Sequence, residues 1–142
     1  MKAWAYPLTT DPADTRVALI LGVADAEAAQ RETPPGRTPV LMDIPTDRTF
    51  RDAWMMTGTG LAVSMPVARQ VHLSRLRAAR NKALDVLDKD WMRAVGQGNA
   101  ALAATIEAQR QVLRDLPQTF DLSGATTPDE LQQRWPSQLP RP

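Results

Sequence analysis

The chain has 142 residues, 43% of them apolar and 23% charged, with a formal net charge of +1 at neutral pH. That balance fits one ordinary domain or a small head on a helical stem, excludes wholesale disorder, and gives no overall attraction for nucleic acid or anionic lipid. Cysteine is absent, which removes disulfides, thiolate metal sites and a cysteine nucleophile together.

Residues 1–6 alternate Lys2, Trp4 and Tyr6 with Met1, Ala3 and Ala5, a period of two that predicts a short strand with its aromatics on one face, ended by Pro7. A polar turn follows, and the VALIL run within residues 16–21 is the best strand core in the chain. Asp25 can cap a short helix over residues 26–31, which TPPGRTP breaks. Residues 40–44 read as a second buried strand. In PTDRTFRDAW, residues 45–54, Thr46 or Asp47 can cap a short helix whose Phe50 and Trp54, four apart, pack on a sheet. TGTG is a turn, and residues 61–63 form a last short strand leading into Ser64.

The stretch from Pro66 to Pro117 is what the rest is attached to. Val67, Val71, Leu73, Leu76, Ala83, Leu87, Trp91 and Val95 recur at helical spacing, so one long face is built for burial. Pro66 suits a first helical turn, and Gly96 and Gly98 suit its end. About 30 residues at 1.5 Å each make a helix roughly 45 Å long, more than a small domain covers, so part of it should meet a partner or a second copy. Asn99 caps a second helix with a stripe of Leu102, Ile106, Gln109, Val112, Leu113 and Leu116, stopped by Pro117. So short a connection makes the two helices antiparallel neighbours. Thr127, Pro128, Asp129 and Glu130 spell a capping box for a helix over residues 128–134, with Trp135 as its anchor and an extended tail beyond. The predicted fold is therefore α+β: a small α+β head (1–63), a long antiparallel helical hairpin (64–117), and a short C-terminal helix with a Pro-rich tail (118–142).

Little in the chain reads as catalytic. The single histidine, His72, lies mid-helix with Ser74 two residues away on another face, so a solvated or partner-facing role is the better reading. Asp85, Asp88 and Asp90 could hold a divalent cation weakly, but pairing with Lys82, Lys89 and Arg93 is the commoner fate of such a cluster. No phosphate loop, dinucleotide fingerprint, zinc-protease or EF-hand pattern occurs. Neither a cofactor nor a metal is expected. No apolar run approaches the roughly 18 residues of a membrane span, and no secretory leader pattern opens the chain.

One imbalance stands out. From Pro66 to Leu84 the chain carries Arg69, Arg75, Arg77, Arg80 and Lys82 and no acid. Cations there oppose the helix dipole, so helix stability does not explain them. A solvated face is the ordinary reading, and an acidic protein surface is the alternative; the lack of interleaved aromatics argues against nucleic acid.

The run RLRAARNKALDVLDKDW (75–91), then EAQRQVLRDLP (107–117), then Trp135-Pro136, resembles tail assembly chaperone proteins of tailed bacteriophages, which share an R-x-x-R-N…D-W helix, an LRD-(I/L)-P segment and a terminal W-P-x-x-P. PTDRTFRDAW is similar to a segment of phage and prophage proteins encoded near tail-fibre genes. The matching positions are Arg77, Arg80, Asn81, Asp90, Trp91, Leu113, Arg114, Asp115, Trp135 and Pro136; this chain reads W-P-S-Q-L-P and adds the head. The resemblance implies a non-enzymatic protein of tail or tail-fibre assembly, working in the host cytoplasm and binding tail subunits. The alternative is a component of the virion tail, baseplate or fibre that forms a homo-oligomer, with the long helix as a coiled coil. Partner contact is expected at Arg69, Arg75, Arg77, Arg80, Leu76, Leu87, Trp91 and Trp135. In the hairpin, Arg114 and Asp115 would pair with Asp90 or Arg80, and Trp91 and Trp135 would lock the two ends.

Overall fold

The structure, a computed structural model, describes residues 1–58 and 60–142, and the chain divides into two units, Met1–Val71 and His72–Pro142. Its class is α+β. Small sheets come first, followed by a long antiparallel helical pair and a short C-terminal helix.

In the first unit the alternating start of the chain is β1 (Lys2–Pro7), the central strand of a three-stranded antiparallel sheet. Its neighbours are β2 (Val17–Ile20) and β3 (Val40–Asp43), in registers that set Trp4 opposite Ile20 and Ala3 opposite Met42. The small residues Ala3 and Ala5 take the buried face, and Trp4 and Tyr6 stand half-buried on the other. Between β2 and β3 lies α1 (Ala26–Glu32), capped as expected by the Asp25 carboxylate, which accepts from the Ala28 N–H at 2.8 Å.

Two expectations fail here. Residues 40–44 do not form a strand buried on both faces: β3 is a sheet edge with Val40 and Leu41 exposed, and only Met42 and the following Ile44 are buried. PTDRTFRDAW is no helix of several turns. Asp47 makes an Asx turn instead, accepting from the Thr49 N–H at 2.8 Å, and the Thr49 side chain first, with this backbone bond, holds its carboxyl below the usual range. A single 3-10 turn at Arg51–Ala53 follows, and Trp54 already begins β4 (Trp54–Met56). β4 pairs antiparallel with β5 (Leu61–Val63), Trp54 facing Val63. Phe50 and Trp54 are nevertheless core residues, as their spacing implied: Trp54 packs with Ala3 and Ile44, and Leu19, Leu61 and Val63 close around them. The Thr57 N–H donates to the Gly60 carbonyl at 2.7 Å across the expected turn, of which Thr59 lies outside the described residues.

The long helix, α2 (Met65–Gly96), starts in the first unit with Pro66 in its first turn and continues into the second. Its end is a Schellman motif. Gly98 takes φ +69°, its N–H reaches the Val95 carbonyl, and the Asn99 N–H reaches the Ala94 carbonyl, both at 3.0 Å. Asn99 then caps α3 (Ala100–Thr119), its side chain accepting from the Leu102 N–H at 3.0 Å. Pro117 does not stop α3. It sits in the last turn, where a missing N–H removes one bond only, and the Thr119 hydroxyl donates back to the Asp115 carbonyl at 3.0 Å. α4 (Pro128–Gln133) starts at Thr127, whose hydroxyl accepts from the Glu130 N–H at 3.2 Å. The reciprocal half of this box is displaced by one residue, because the Glu130 carboxylate accepts from the N–H of Thr126 at 2.8 Å.

The tail beyond α4 is not extended. The Trp135 indole N–H is shared between the Leu139 and Pro140 carbonyls at 3.1 and 3.2 Å, and the Leu139 N–H donates to the Pro136 carbonyl at 3.2 Å. The chain therefore turns back on its own tryptophan, and Leu139 is buried.

Candidate functional site: the helical hairpin

Within the second unit, the inner row of α2 is set by residues about four apart, one turn of helix. His72, Leu76 and Ala94 are buried, and Ala83, Leu87 and Trp91 are half-buried. On α3 the inner residues are Ala103, Ile106, Leu113 and Leu116. Both rows are turned slightly from the predicted ones: Val95, Leu102, Gln109 and Val112 are exposed, while Ala94 and Ala103 are inside. Near the turn Ala94, Ala103 and Ile106 form the buried cluster, with Leu87 and Trp91 against it.

His72 is neither solvated nor partner-facing. It is 3% exposed, its Nε2 lies 2.7 Å from the Arg134 carbonyl, and the Trp135 ring meets it edge-on at 5.6 Å. The spacing of four from Leu76 carried this signal. Burial holds its pKa below the ordinary 6.5; the Arg134 carbonyl bond works against that shift and the Arg75 cation adds to it. With the folded value depressed, the unfolded chain binds the proton first, so this contribution is fully present above about pH 6.5 and is lost as pH falls toward the folded value. Thermal melts from about pH 8 to about pH 5 should show a falling midpoint in the wild type and a flatter profile in His72→Gln.

The basic residues do not form one face. Arg69 belongs to the first unit and is half-buried. At about 100° per residue, Arg75 and Lys82 fall on one flank of the inner row and Arg77 and Arg80 on the other. Arg77 is exposed, and Arg80 bonds the neighbouring Asn81 side chain through Nη2 at 3.0 Å. Leu76 is 1% exposed and unavailable to any partner. Trp91 and Trp135 do sit toward opposite ends of the hairpin.

The cross-hairpin ion pairs differ from those expected. Asp88 is bound by Arg110 of α3 at 2.7 Å, whereas Asp90 pairs with Arg93 on its own helix at 3.0 Å. Arg114 binds Glu107 at 2.8 Å, and Asp115 accepts from Gln111 at 3.0 Å, so neither crosses to Arg80 or Asp90. Arg110 also contacts the Glu107 carboxylate, and its guanidinium stands 5.2 Å from the Trp91 ring centroid. Glu107 is held below the usual carboxylate range, first by its Arg114 bond and also by Arg110. Arg110 was not singled out by the sequence; its spacing of three from Glu107 was the available signal, while Asp88 is too distant in sequence to be read.

The opposite flank is apolar along its middle, with the Asp90–Arg93 pair lying one to two turns beyond Val86. Ala83, Val86 and Leu87 of α2 and Gln109, Val112 and Leu113 of α3 line an open groove of about 520 Å³. Ala83 and Val86 continue it into a second stretch of about 450 Å³ that runs past Ala79, Lys82 and Arg75 to tail residues 140–142. Among the described residues, no group of three His, Cys, Asp or Glu side chains is placed to hold a metal, and no helix is long and apolar enough to cross a membrane.

No protein-family model matches the chain, and no curated protein and no solved structure is similar to it.

Proposed function

We propose that the chain is a non-enzymatic tailed-phage or prophage protein that acts in tail or tail-fibre assembly by binding tail subunits through its helical hairpin. The observation that carries the binding role is the difference between the hairpin's flanks. One flank carries the ion pairs of Arg110 with Asp88 and Glu107, and the other leaves Val86 and Val112 exposed over an open apolar groove. The assignment to tails rests on the R-x-x-R-N…D-W, LRD-L-P and W-P segments.

A second reading is favoured by the same exposed side chains, with Met92, Val95 and Leu102 added: the hairpin packs on further copies of itself as a permanent part of the tail. Quantitative mass spectrometry of purified phage or induced prophage particles separates the two. For the assembly role, the chain should be absent from finished particles and cross-linked to tail or tail-fibre subunits in the producing cell. A fixed copy number relative to the major tail protein would replace it with the virion reading. Absence from particles together with no tail-subunit cross-link would overturn both.

A further inference from the structure

We infer that the groove on the Val86 flank of the hairpin docks a short acidic amphipathic segment of a partner protein. The inference rests on the hairpin being the binding element, and it names the chemistry that this element recognises.

The floor is apolar and shallow where α2 presents Ala78, Ala79 and Ala83, because alanines let another backbone come close. Beyond them the side chains enlarge. Val86 is 58% exposed and Val112 is 51% exposed, on neighbouring helices and lining one concavity. The two stretches share Ala83 and Val86, so a partner laid along them would seat several apolar side chains in sequence.

The rim supplies the sign of charge. Arg75, Lys82 and Arg141 border the groove, and among the described residues no acidic side chain lines either stretch. Of the nearby carboxylates, Asp88 and Glu107 are engaged by Arg110 and Arg114 on the other flank, and Asp90, one turn beyond Val86, is paired with Arg93 at 3.0 Å. An apolar floor under a cationic rim is complementary to a segment with apolar residues on one side and Asp or Glu at its margin. The far wall is fixed: Trp135 holds the Leu139 and Pro140 carbonyls, and Arg141 donates to the Gln133 carbonyl at 3.0 Å. Neither stretch is lined by an aromatic ring on which a base would stack, so a nucleic acid fits worse than a protein segment.

The test uses the full chain and two dye-labelled synthetic helical peptides with the same Leu spacing, one carrying Glu and the other Lys at the flanking positions. Fluorescence anisotropy should give the Glu peptide at least about tenfold tighter binding than the Lys peptide, weakening as salt rises. Lys82→Glu and Val86→Asp, both at exposed positions, should each weaken it about tenfold with unchanged circular dichroism, and Val95→Asp should not. Equal binding of the two peptides, no binding of either, unchanged affinity in Val86→Asp, or full displacement by a single-stranded oligonucleotide would overturn the inference. So would light scattering that finds a wild-type dimer which Val86→Asp splits, since a second copy would then be the occupant. If tail subunits bind the chain regardless of Val86→Asp and Lys82→Glu, the hairpin reading stands and this groove falls. If the Glu peptide binds as expected but no tail subunit does, the groove stands and the tail assignment falls.

Discussion

Leu76→Asp is expected to unfold the second unit rather than to dissociate any assembly. Leu76 is 1% exposed and lies in the same inner row as His72, one turn away. The substitution removes most of a leucine's buried volume and forces a carboxylate into the space. The carboxylate must then either ionise without a partner or take up a proton well above its ordinary range. A cost of about 4–5 kcal/mol would consume most of the stability of an ordinary small domain. Urea titration followed by helical circular dichroism should show the midpoint collapse, and Leu76→Ala should fall between the two. A soluble, fully helical Leu76→Asp variant would show that the side chain is not interior. The sequence alone marks Leu76 as equally suited to a core or to an oligomer seam, since both demand an apolar residue at helical spacing. Its burial in the folded chain decides between them.

Phe50→Ala is the second large effect, placed in the first unit. Phe50 is 2% exposed, and truncating a buried phenylalanine costs about 3–5 kcal/mol. The first unit is small, and on the buried face of β1 it sets only the alanines Ala3 and Ala5. Hydrogen exchange should show the amides of Ala3 and Ala5, paired in the ladders of β1, losing protection in this variant. Protection unchanged from the wild type would mean that the ring contributes little to holding the sheet. Arg51→Ala, one residue on but exposed, serves as the control and should leave the amides protected.

What could be read in advance was chemistry that acts within a few residues. Asp25, Asn99 and Thr127 each take a backbone N–H three residues ahead, and the Gly98 turn satisfies the carbonyls behind it; all of this is local. The failures share a different origin. Trp54 sits four residues from Phe50, which suits a helix, but pairing with Val63 made it a strand residue, and that partner lies across a turn. Nothing in VLMD says that β3 has one neighbour instead of two. On α3 the large residues Leu102 and Val112 suggested the inner face, while Ala103 occupies it, because close helix packing favours a small side chain that a hydrophobicity pattern undervalues. The same limit applies to the candidate site. The cations of α2 could be counted but not sorted onto two flanks until the inner row was known, and the apolar flank becomes visible only once Arg110 is seen to engage Asp88 on the other.

The position of β1 between its partners has a bearing on how the chain is made. During synthesis β1 precedes both strands that it pairs with, and its two ladders close over loops of very different length, a short one to β2 and a much longer one, through α1, to β3. The β1–β2 pair can form as soon as β2 has left the ribosome, but the other edge of β1 then waits with its N–H and C=O groups unpaired until Val40–Asp43 emerges. For that interval the nascent chain displays an open strand edge, the kind of surface that recruits other chains. A pause in translation between β2 and β3 should therefore raise aggregation more than a pause placed after β3.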